Sequence, residues 1–272
     1  MPLNKKKTIF CCYDAGSAEL LLCYLSNNFS SMKNFTFFLK GPAKKIFLKK
    51  FTELKCESNI NYLKNYQSIV CSTGWSNFNF KIMNYALRNN KQLISIVDQD
   101  NYFNERFFFH EKLLVPNIVW GINFSKIKLF FRNKTNCTIN FLSLKNERKK
   151  YYLKFRNSNL NSEYLLVAGN AFKSFSKKIS SDKNNLILTK KKIVEDIKKI
   201  LKYNKKIRYI VLRPHPKEKF LSFQKLAIET QCRISVSKNL LLENDLQLCK
   251  YVLSYSKAAA IAAKYVGNKV YQ

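Results

Sequence analysis

The residues Lys7-Thr-Ile-Phe-Cys-Cys-Tyr13 form a short apolar run that ends at the turn Asp14-Ala-Gly-Ser17. The run has the length of a buried strand, and the residues after the turn, Ala18 to about Asn27, favour a helix. A strand that leads directly into a helix is the first half of a βαβ unit. This stretch therefore predicts a parallel sheet with helical crossovers.

The same alternation of strand and helix continues through the first half of the chain. Further buried strands are predicted at Phe35–Leu39, Gln67–Ser72, Gln92–Val97 and Asn117–Trp120. Helices are predicted at Ala43–Leu54 and from the turn Thr73-Gly-Trp-Ser76 to about Asn90. Elements of these lengths in this order are typical of a doubly wound α/β layer.

The second half repeats this organisation after a polar, basic zone at about Asn133–Asn161, where we predict the connection between two domains. Strands are predicted at Glu163–Val167, Arg208–Leu212, Arg233–Val236 and Tyr251–Ser254, with a last one beginning at Val270. Helices are predicted at Lys190–Tyr203, Glu218–Thr230, Asp245–Lys250 and Lys257–Val266. The predicted fold is α/β, with two Rossmann-like doubly wound lobes facing a cleft, formed by residues 1–150 and 151–272.

The net charge of +32 is the most unusual bulk property of the chain. Such a charge favours a polyanionic partner, but no nucleic-acid-binding motif accompanies it. Lysine is abundant together with Asn, Ile, Phe and Tyr, the set encoded by A/T-rich codons, and the lysines are spread along the chain. We therefore attribute most of the charge to composition and expect no specific nucleic-acid partner, with contact to an anionic membrane as a side effect.

The eight cysteines include no C-x-x-C pair, and the two histidines are far apart. This pattern does not predict a zinc site. It predicts reduced, buried thiols. No apolar run approaches the roughly 18 residues of a membrane span, and no secretory signal is visible. The sequence predicts a cytoplasmic protein, in peripheral contact with the inner membrane face through its charge.

The segment Val211-Leu-Arg-Pro-His-Pro-Lys-Glu218 places His215 at the carboxyl end of a predicted strand, where open α/β sheets bind ligands. Pro214 and Pro216 restrict the backbone on both sides of it. Arg213 and Lys217 flank it with positive charge, a combination suited to a phosphate. The alternative is a surface turn that contains a histidine.

A second motif, Val252-Leu-Ser-Tyr-Ser-Lys-Ala-Ala-Ala260, joins a strand to an Ala-rich helix. Ser256 is placed to cap the helix, and serine hydroxyls beside the free N–H groups of a helix start form an anion site. Because this turn ends a later strand of the same predicted sheet as His215, Ser254, Tyr255 and Ser256 are candidate phosphate-binding residues. The alternative is an ordinary capped helix.

Two acidic turns of the first lobe are the candidate catalytic elements. Asp14 follows the first strand, and Gly16 and Ser17 beside it allow close approach of a substrate. Asp98 follows the strand Gln92–Val97 and begins a stretch that contains Asn101 and Arg106. We predict Asp14 and Asp98 as general bases, and Gly16, Ser17, Asn101 and Arg106 as substrate-binding residues. The alternatives are a helix cap at Asp14 and a salt-bridged turn after Asp98.

The motifs Arg213-Pro-His-Pro216 and Ser254-Tyr-Ser256, followed by a helix that ends at Gly267, resemble the C-terminal half of GT-B glycosyltransferases. They look most like the bacterial sialyltransferase, polysialyltransferase and capsule-synthesis types with an His-Pro motif. The resemblance implies that His215, Ser254 and Ser256 hold the phosphate of a nucleotide donor. The Asp14-Ala-Gly16 turn and the Asp98–Arg106 segment resemble surface-polysaccharide proteins.

The sequence therefore predicts a metal-independent glycosyltransferase without a bound cofactor. A nucleotide sugar is the expected co-substrate, and a glycan or lipid-linked molecule is the expected acceptor. A sugar-nucleotide epimerase of the same two-lobe architecture is the alternative enzyme. A basic nucleic-acid-binding protein and a binding relative without turnover are the alternatives outside catalysis, the latter because the usual C-terminal helix does not follow Tyr271.

Overall fold

The first strand of the chain is fully buried along its whole length, as its unbroken apolar sequence predicts for a strand covered on both faces. The structure is a computed structural model. It describes residue 4 and residues 7–51, 53–74, 76–169, 190–213 and 230–272. These residues divide into two compact units, Met1–Tyr151 and Tyr152–Gln272.

The first unit contains a seven-stranded sheet and a small hairpin among its described residues. Its strands are β1 Thr8–Cys12, β2 Thr36–Leu39, β3 Lys55–Cys56, β4 Ser68–Ser72, β5 Gln92–Val97, β6 Phe108–Phe109, β7 Lys112–Leu113, β8 Ile118–Gly121 and β9 Asn140–Ser143. The sheet has the order β3-β2-β1-β4-β5-β8-β9, with all neighbours parallel, and β6 pairs with β7 in the antiparallel hairpin.

The helices of the first unit connect these strands. They are α1 Ala15–Asn28, α2 Gly41–Lys50, a 3-10 helix at Ile60–Asn65, α3 Asn77–Arg88, α4 Phe103–Phe107, α5 Ser125–Arg132 and α6 Lys145–Leu153. The apolar face of α3 packs with β1, β4 and β5 in one continuous core. Burial of this core is the main source of stability of such a layer.

The second unit repeats the design around a five-stranded parallel sheet in its described part. Its strands are β10 Asn161–Ala168, β11 Tyr209–Arg213, β12 Arg233–Val236, β13 Cys249–Ser254 and β14 Lys269–Tyr271, in the order β12-β11-β10-β13-β14. Its described helices are α7 Lys190–Tyr203, α8 Leu242–Leu248 and α9 Lys257–Val266. Two parallel, doubly wound α/β units confirm the predicted fold class.

The zone at Asn133–Asn161 includes the boundary between the two units, and it also has regular structure that the sequence did not predict. It contains β9, which extends the first sheet, and α6, which belongs largely to the first unit. The apolar pattern of the sequence does not indicate either element. Strand β9 is an exposed edge strand, and α6 packs through a buried charged residue. Arg148 on α6 is 3% exposed and forms an ion pair with Glu19 at 2.8 Å.

Among the described residues, no helix is long and apolar enough to cross a membrane.

Candidate functional site

The first candidate site lies at the carboxyl edge of the first sheet, where the strand order reverses. Strand β1 is followed in sequence by β2 on one side and lies beside β4 on the other. Open α/β sheets bind ligands outside such a reversal. Asp14 follows β1, Thr73 and Gly74 follow β4, and Asp98 follows β5.

Asp14 is held by a chain of hydrogen bonds that begins on helix α3. The amide of Asn79, which is fully buried, donates to the Asp14 carboxylate at 2.8 Å. The hydroxyl of Ser72 donates to Oδ1 of the Asn79 side-chain amide at 2.8 Å. The same hydroxyl accepts from the backbone N–H of Tyr13 at 3.1 Å. Because each partner is itself positioned, the carboxylate of Asp14 is fixed at the end of β1.

Asp98 is held from the opposite side by a buried arginine. The Arg106 guanidinium donates to the Asp98 carboxylate at 2.9 Å, and the same nitrogen lies 3.2 Å from both the carbonyl oxygen and the hydroxyl of Thr73. Arg106 is 5% exposed, and its Nε has no hydrogen-bond partner among the described residues. The predicted substrate-binding residue Arg106 therefore contacts a predicted catalytic carboxylate, and a salt-bridged turn, the alternative considered from the sequence, is present.

Two glycines bring these carboxylates close to the backbone. A Cβ on Gly16 would overlap the carboxylate of Asp98, and a Cβ on Gly74 would overlap the carboxylate of Asp14. A larger residue at either position would have to displace the neighbouring carboxylate. The carboxylates of Asp14 and Asp98 lie directly against the two turns that follow β1 and β4.

Cysteine chemistry is disfavoured beside these carboxylates. Burial, with the negative charge of Asp14 as a second cause, raises the pKa of the Cys12 thiol well above its usual range. Burial raises the pKa values of Cys11 and Cys71 in the same way. Since a thiolate is the reactive form, these buried thiols are not activated nucleophiles.

The remaining predicted residues of the first unit take other positions. Ser17 is buried and its hydroxyl donates to the backbone carbonyl of Ile96 at 3.4 Å. Asn101 is exposed in the loop after β5. Their roles in substrate binding stay predictions.

The second candidate site lies at the carboxyl edge of the second sheet, where the order reverses between β10 and β13. Ser256 caps helix α9: its hydroxyl accepts from the N–H of Ala259 at 3.5 Å. The hydroxyl of Ser254 accepts from the Ser256 N–H at 3.3 Å and donates to the Ser256 carbonyl at 2.9 Å. The predicted cap at Ser256 and the end of the helix at Gly267, with φ of 103°, are both confirmed.

Arg213 makes contacts that the sequence does not predict. Its guanidinium forms an ion pair with Asp245, which is 1% exposed, and donates to the backbone carbonyls of Asn239 at 2.8 Å and Leu240 at 3.0 Å. Asp245 also accepts from Ser237 and Asn239. Arg213 ties β11 to the segment before α8, and its assignment to a phosphate stays a prediction.

Tyr255 is also engaged within its own unit. Its hydroxyl donates to the carboxylate of Asp196 on α7 at 2.9 Å. Burial and this carboxylate raise the pKa of the Tyr255 phenol above its usual range. The phenol therefore joins the turn before α9 to α7, while Ser254 and Ser256 form the helix start. His215 and Lys217, assigned to the same phosphate, lie outside the described residues.

Sequence reasoning missed Asn79, the residue that holds Asp14. A signal for it exists, because Asn79 shares one buried helical face with Ile82, Met83 and Ala86. A polar residue in a buried stripe requires a hydrogen-bond partner. Trp75, in the same turn region, lies outside the described residues. Among the described residues, no group of three or more His, Cys, Asp or Glu side chains is placed to hold a metal ion.

No family model matches the sequence. No curated protein sequence matches it either. Solved structures match the fold. The structure of Staphylococcus aureus MnaA with UDP has a TM-score of 0.60 and 9% identity, over 97% of this chain and 78% of that one. A UDP-N-acetylglucosamine 2-epimerase has a TM-score of 0.57 and 9% identity, over 98% of this chain and 78% of that one. Identity this low shows the fold alone, and that fold is GT-B-like with two Rossmann-type units.

These matches correct the sequence-based prediction of a glycosyltransferase. The structural likeness is to a UDP-N-acetylglucosamine 2-epimerase, which favours the epimerase alternative, and it gives no support to the sialyltransferase type. The prediction failed because it relied on short His-Pro and Ser motifs of a fold that hosts more than one activity.

Proposed function

We propose that this chain is an enzyme that acts on a nucleotide sugar as an epimerase. The observation that carries the proposal is the pair of carboxylates, Asp14 and Asp98, at the reversal point of the first sheet. Each is fixed by a buried partner, Asn79 for Asp14 and Arg106 for Asp98. Fixed side chains at a ligand-binding edge are what proton transfer requires.

Epimerisation inverts one carbon of a sugar and leaves its composition unchanged. When it proceeds by proton transfer, one group takes the proton from the carbon next to the anomeric carbon while the C–O bond to the diphosphate breaks, so the electron pair of the C–H bond forms a C=C bond. The diphosphate then adds back to the anomeric carbon as a group returns a proton to the opposite face of its neighbour. Carboxylates are suited to both steps, because they exchange protons readily with bound hydroxyl or carbon acids. We assign these two steps to Asp14 and Asp98, without deciding which residue performs which step.

The nucleotide is assigned to the second unit. Helix α9 begins at Lys257, directly after the capped turn formed by Ser254 and Ser256. The first N–H groups of a helix and its dipole favour an anion at this end. The likeness to a structure that holds UDP supports a nucleotide ligand. We propose that the diphosphate lies at this helix start, with His215 and Lys217 as further candidates.

The test is turnover of UDP-N-acetylglucosamine by the full chain with no acceptor present. An epimerase converts part of the sugar into its epimer, which proton NMR of the anomeric signals detects. In deuterium oxide, proton transfer at carbon also introduces deuterium into the product. Asp98→Asn is expected to lose most of this conversion, because an amide can neither take nor return the proton.

A neighbouring acid provides the matched control. Asp100 lies two residues after Asp98 in the same loop and accepts from Asn123 at 3.2 Å near the surface. Asp100→Asn removes the same charge and is expected to leave turnover close to that of the wild type. Equal losses in both variants, or release of UDP without an epimer, would contradict the proposal.

A further inference from the structure

A separate cavity of about 220 Å³ opens in the first unit between β2, the 3-10 helix and α3. Its lining combines two aromatic rings, Phe38 and Phe78, with two lysines, Lys40 and Lys81, and the polar residue Asn59. None of the residues described as lining it is acidic. The carboxylates of Asp14 and Asp98 are not part of its wall.

The ammonium group of Lys40 is positioned by the two rings. It lies 5.5 Å from the centre of the Phe38 ring and 5.7 Å from the centre of the Phe78 ring. The rings themselves pack edge to face with centroids 4.9 Å apart. Attraction between the cation and the ring faces orders the lysine while leaving its N–H donors available.

The positive charge of the cavity has no described acidic partner. Neither Lys40 nor Lys81 forms an ion pair with a carboxylate among the described residues. Two ammonium groups on one concave surface favour an anion that bridges them. The half-buried ring of Phe78 adds an apolar surface for the body of the same ligand, and Phe38, which is 3% exposed, supports that ring through their edge-to-face contact.

We propose that this cavity binds a small anionic ligand, a phosphate or carboxylate carried on a body no larger than one sugar ring. The size follows from the volume, which is below the roughly 300–1,000 Å³ of pockets for drug-sized molecules. The exposed side chains of Lys40 and Lys81 hold the anionic group, and Phe78 contacts the ring. Binding here does not depend on epimerase activity, because neither Asp14 nor Asp98 contributes to it.

Calorimetric titration at physiological salt tests the site with three probes: glucose 6-phosphate, glucuronate and inorganic phosphate. Lys40→Gln and Lys81→Gln are each expected to raise the dissociation constant about tenfold, through loss of one charge-assisted hydrogen bond. Phe78→Leu is expected to raise it about threefold with both charges intact. Asp98→Asn is expected to bind as the wild type does, which separates this site from the catalytic one.

The control is Lys49→Gln, because Lys49 is an exposed lysine of helix α2 outside the cavity wall. Binding of glucose 6-phosphate alone identifies a phosphate site, and binding of glucuronate alone identifies a carboxylate site. An equal loss in Lys49→Gln would show attraction to the general charge of the protein and overturn the proposal. So would the absence of saturable binding, or equal affinity for inorganic phosphate and glucose 6-phosphate.

Discussion

The carboxylate of Asp98 occupies the space that a Cβ on Gly16 would fill. The two residues follow different strands, β1 and β5, and they meet at the first turn of helix α1. The start of a helix favours a negative charge, so the contact stabilises the carboxylate where it lies. Gly16 therefore leaves room for one of the two carboxylates that we propose as the proton-transfer groups.

Gly16→Ala is expected to fold and to lose activity. Alanine has a higher helix propensity than glycine, so α1 itself gains stability. The new methyl group displaces the Asp98 carboxylate from its position beside Arg106. A displacement of about 1 Å at a reacting group lowers turnover on the order of 100-fold. Epimer formation by NMR, together with the melting temperature, measures both effects.

A double-mutant cycle shows whether the loss acts through Asp98. If it does, adding Gly16→Ala to Asp98→Asn produces little further loss of turnover, because the two changes remove the same interaction. Fully additive losses would mean that Gly16 acts elsewhere, for example in direct contact with the substrate.

Elements with a clear apolar pattern are the part of this fold that the sequence predicts best. The strand β5 and the helix α7 have the predicted bounds, because a buried strand is a continuous apolar run and α7 carries one apolar stripe. The edge strand β9 and the hairpin of β6 and β7 were missed. Their side chains are mostly exposed or half-buried, so they carry no apolar pattern.

The two acidic residues of the candidate site were selected from the sequence. The contacts that hold them in place were not predicted. Asp14 and Asp98 are visible because acids at strand ends are scarce in this basic chain. The contact of Asp98 with Gly16 depends on the spatial neighbourhood of β1 and β5, which no local pattern encodes. The ion pair of Arg213 with Asp245 joins residues 32 positions apart for the same reason.

Asp14 accepts a hydrogen bond from the buried amide of Asn79, and we propose that it also transfers a proton. Two substitutions distinguish the structural contact from the proposed chemical role. Asp14→Ala leaves the buried amide of Asn79 without this acceptor and is expected to lower the free energy of unfolding by about 1–3 kcal/mol. Asp14→Asn keeps an acceptor and is expected to remain near wild-type stability while losing turnover. Urea unfolding of both variants checks the first statement, and the NMR assay checks the second. Wild-type turnover in Asp14→Asn would remove Asp14 from the mechanism.

Arg213→Met is expected to destabilise the second unit, whether or not a nucleotide binds there. The substitution leaves Asp245 buried without its cation, and loss of one partner of a buried pair costs about 3–5 kcal/mol. Thermal and urea unfolding measure the loss. The variant Arg208→Met, at an exposed position just before β11, is the control and is expected to change stability little.

The combination of Arg213→Met with Asp245→Leu tests the cause of that loss. Removing both charges together avoids an unpaired buried carboxylate, so the double variant is expected to be more stable than Arg213→Met alone. If Arg213→Met keeps wild-type stability and only weakens nucleotide binding, the phosphate role predicted from the sequence is correct instead.

Ser256→Asp is expected to keep the N-cap of α9 and to remove the proposed anion site at the same helix start. Aspartate is as good an N-cap as serine, so the unliganded protein keeps its melting temperature. Its negative charge repels a phosphate at the same helix start, so the rise in melting temperature produced by UDP is expected to disappear. Ser256→Thr, a neutral capping residue, is the control and is expected to keep the response. Undiminished stabilisation of Ser256→Asp by UDP would place the nucleotide elsewhere.

Alkaline destabilisation of the second unit is expected to depend in part on Cys249. Burial, with the nearby Asp245 carboxylate as a second cause, raises the pKa of the Cys249 thiol to about 12. The thiol of an unfolded chain has a pKa of about 8.5. Because the folded state holds this proton more tightly, the thiol's contribution to stability is complete below about pH 8.5. It is lost as the pH rises toward 12, by up to about 1.4 kcal/mol per pH unit.

The comparison of Cys249→Ala with Cys137→Ala isolates this contribution, because Cys137 is exposed. Urea unfolding at pH 8 and pH 10.5 gives the loss of stability for each variant, and the differences are compared because Cys249→Ala also leaves a small core cavity. Cys249→Ala is expected to lose less stability over this interval than the wild type, and Cys137→Ala is expected to lose as much. An equal loss in all three proteins would show that the pKa of the Cys249 thiol is not raised in the folded state.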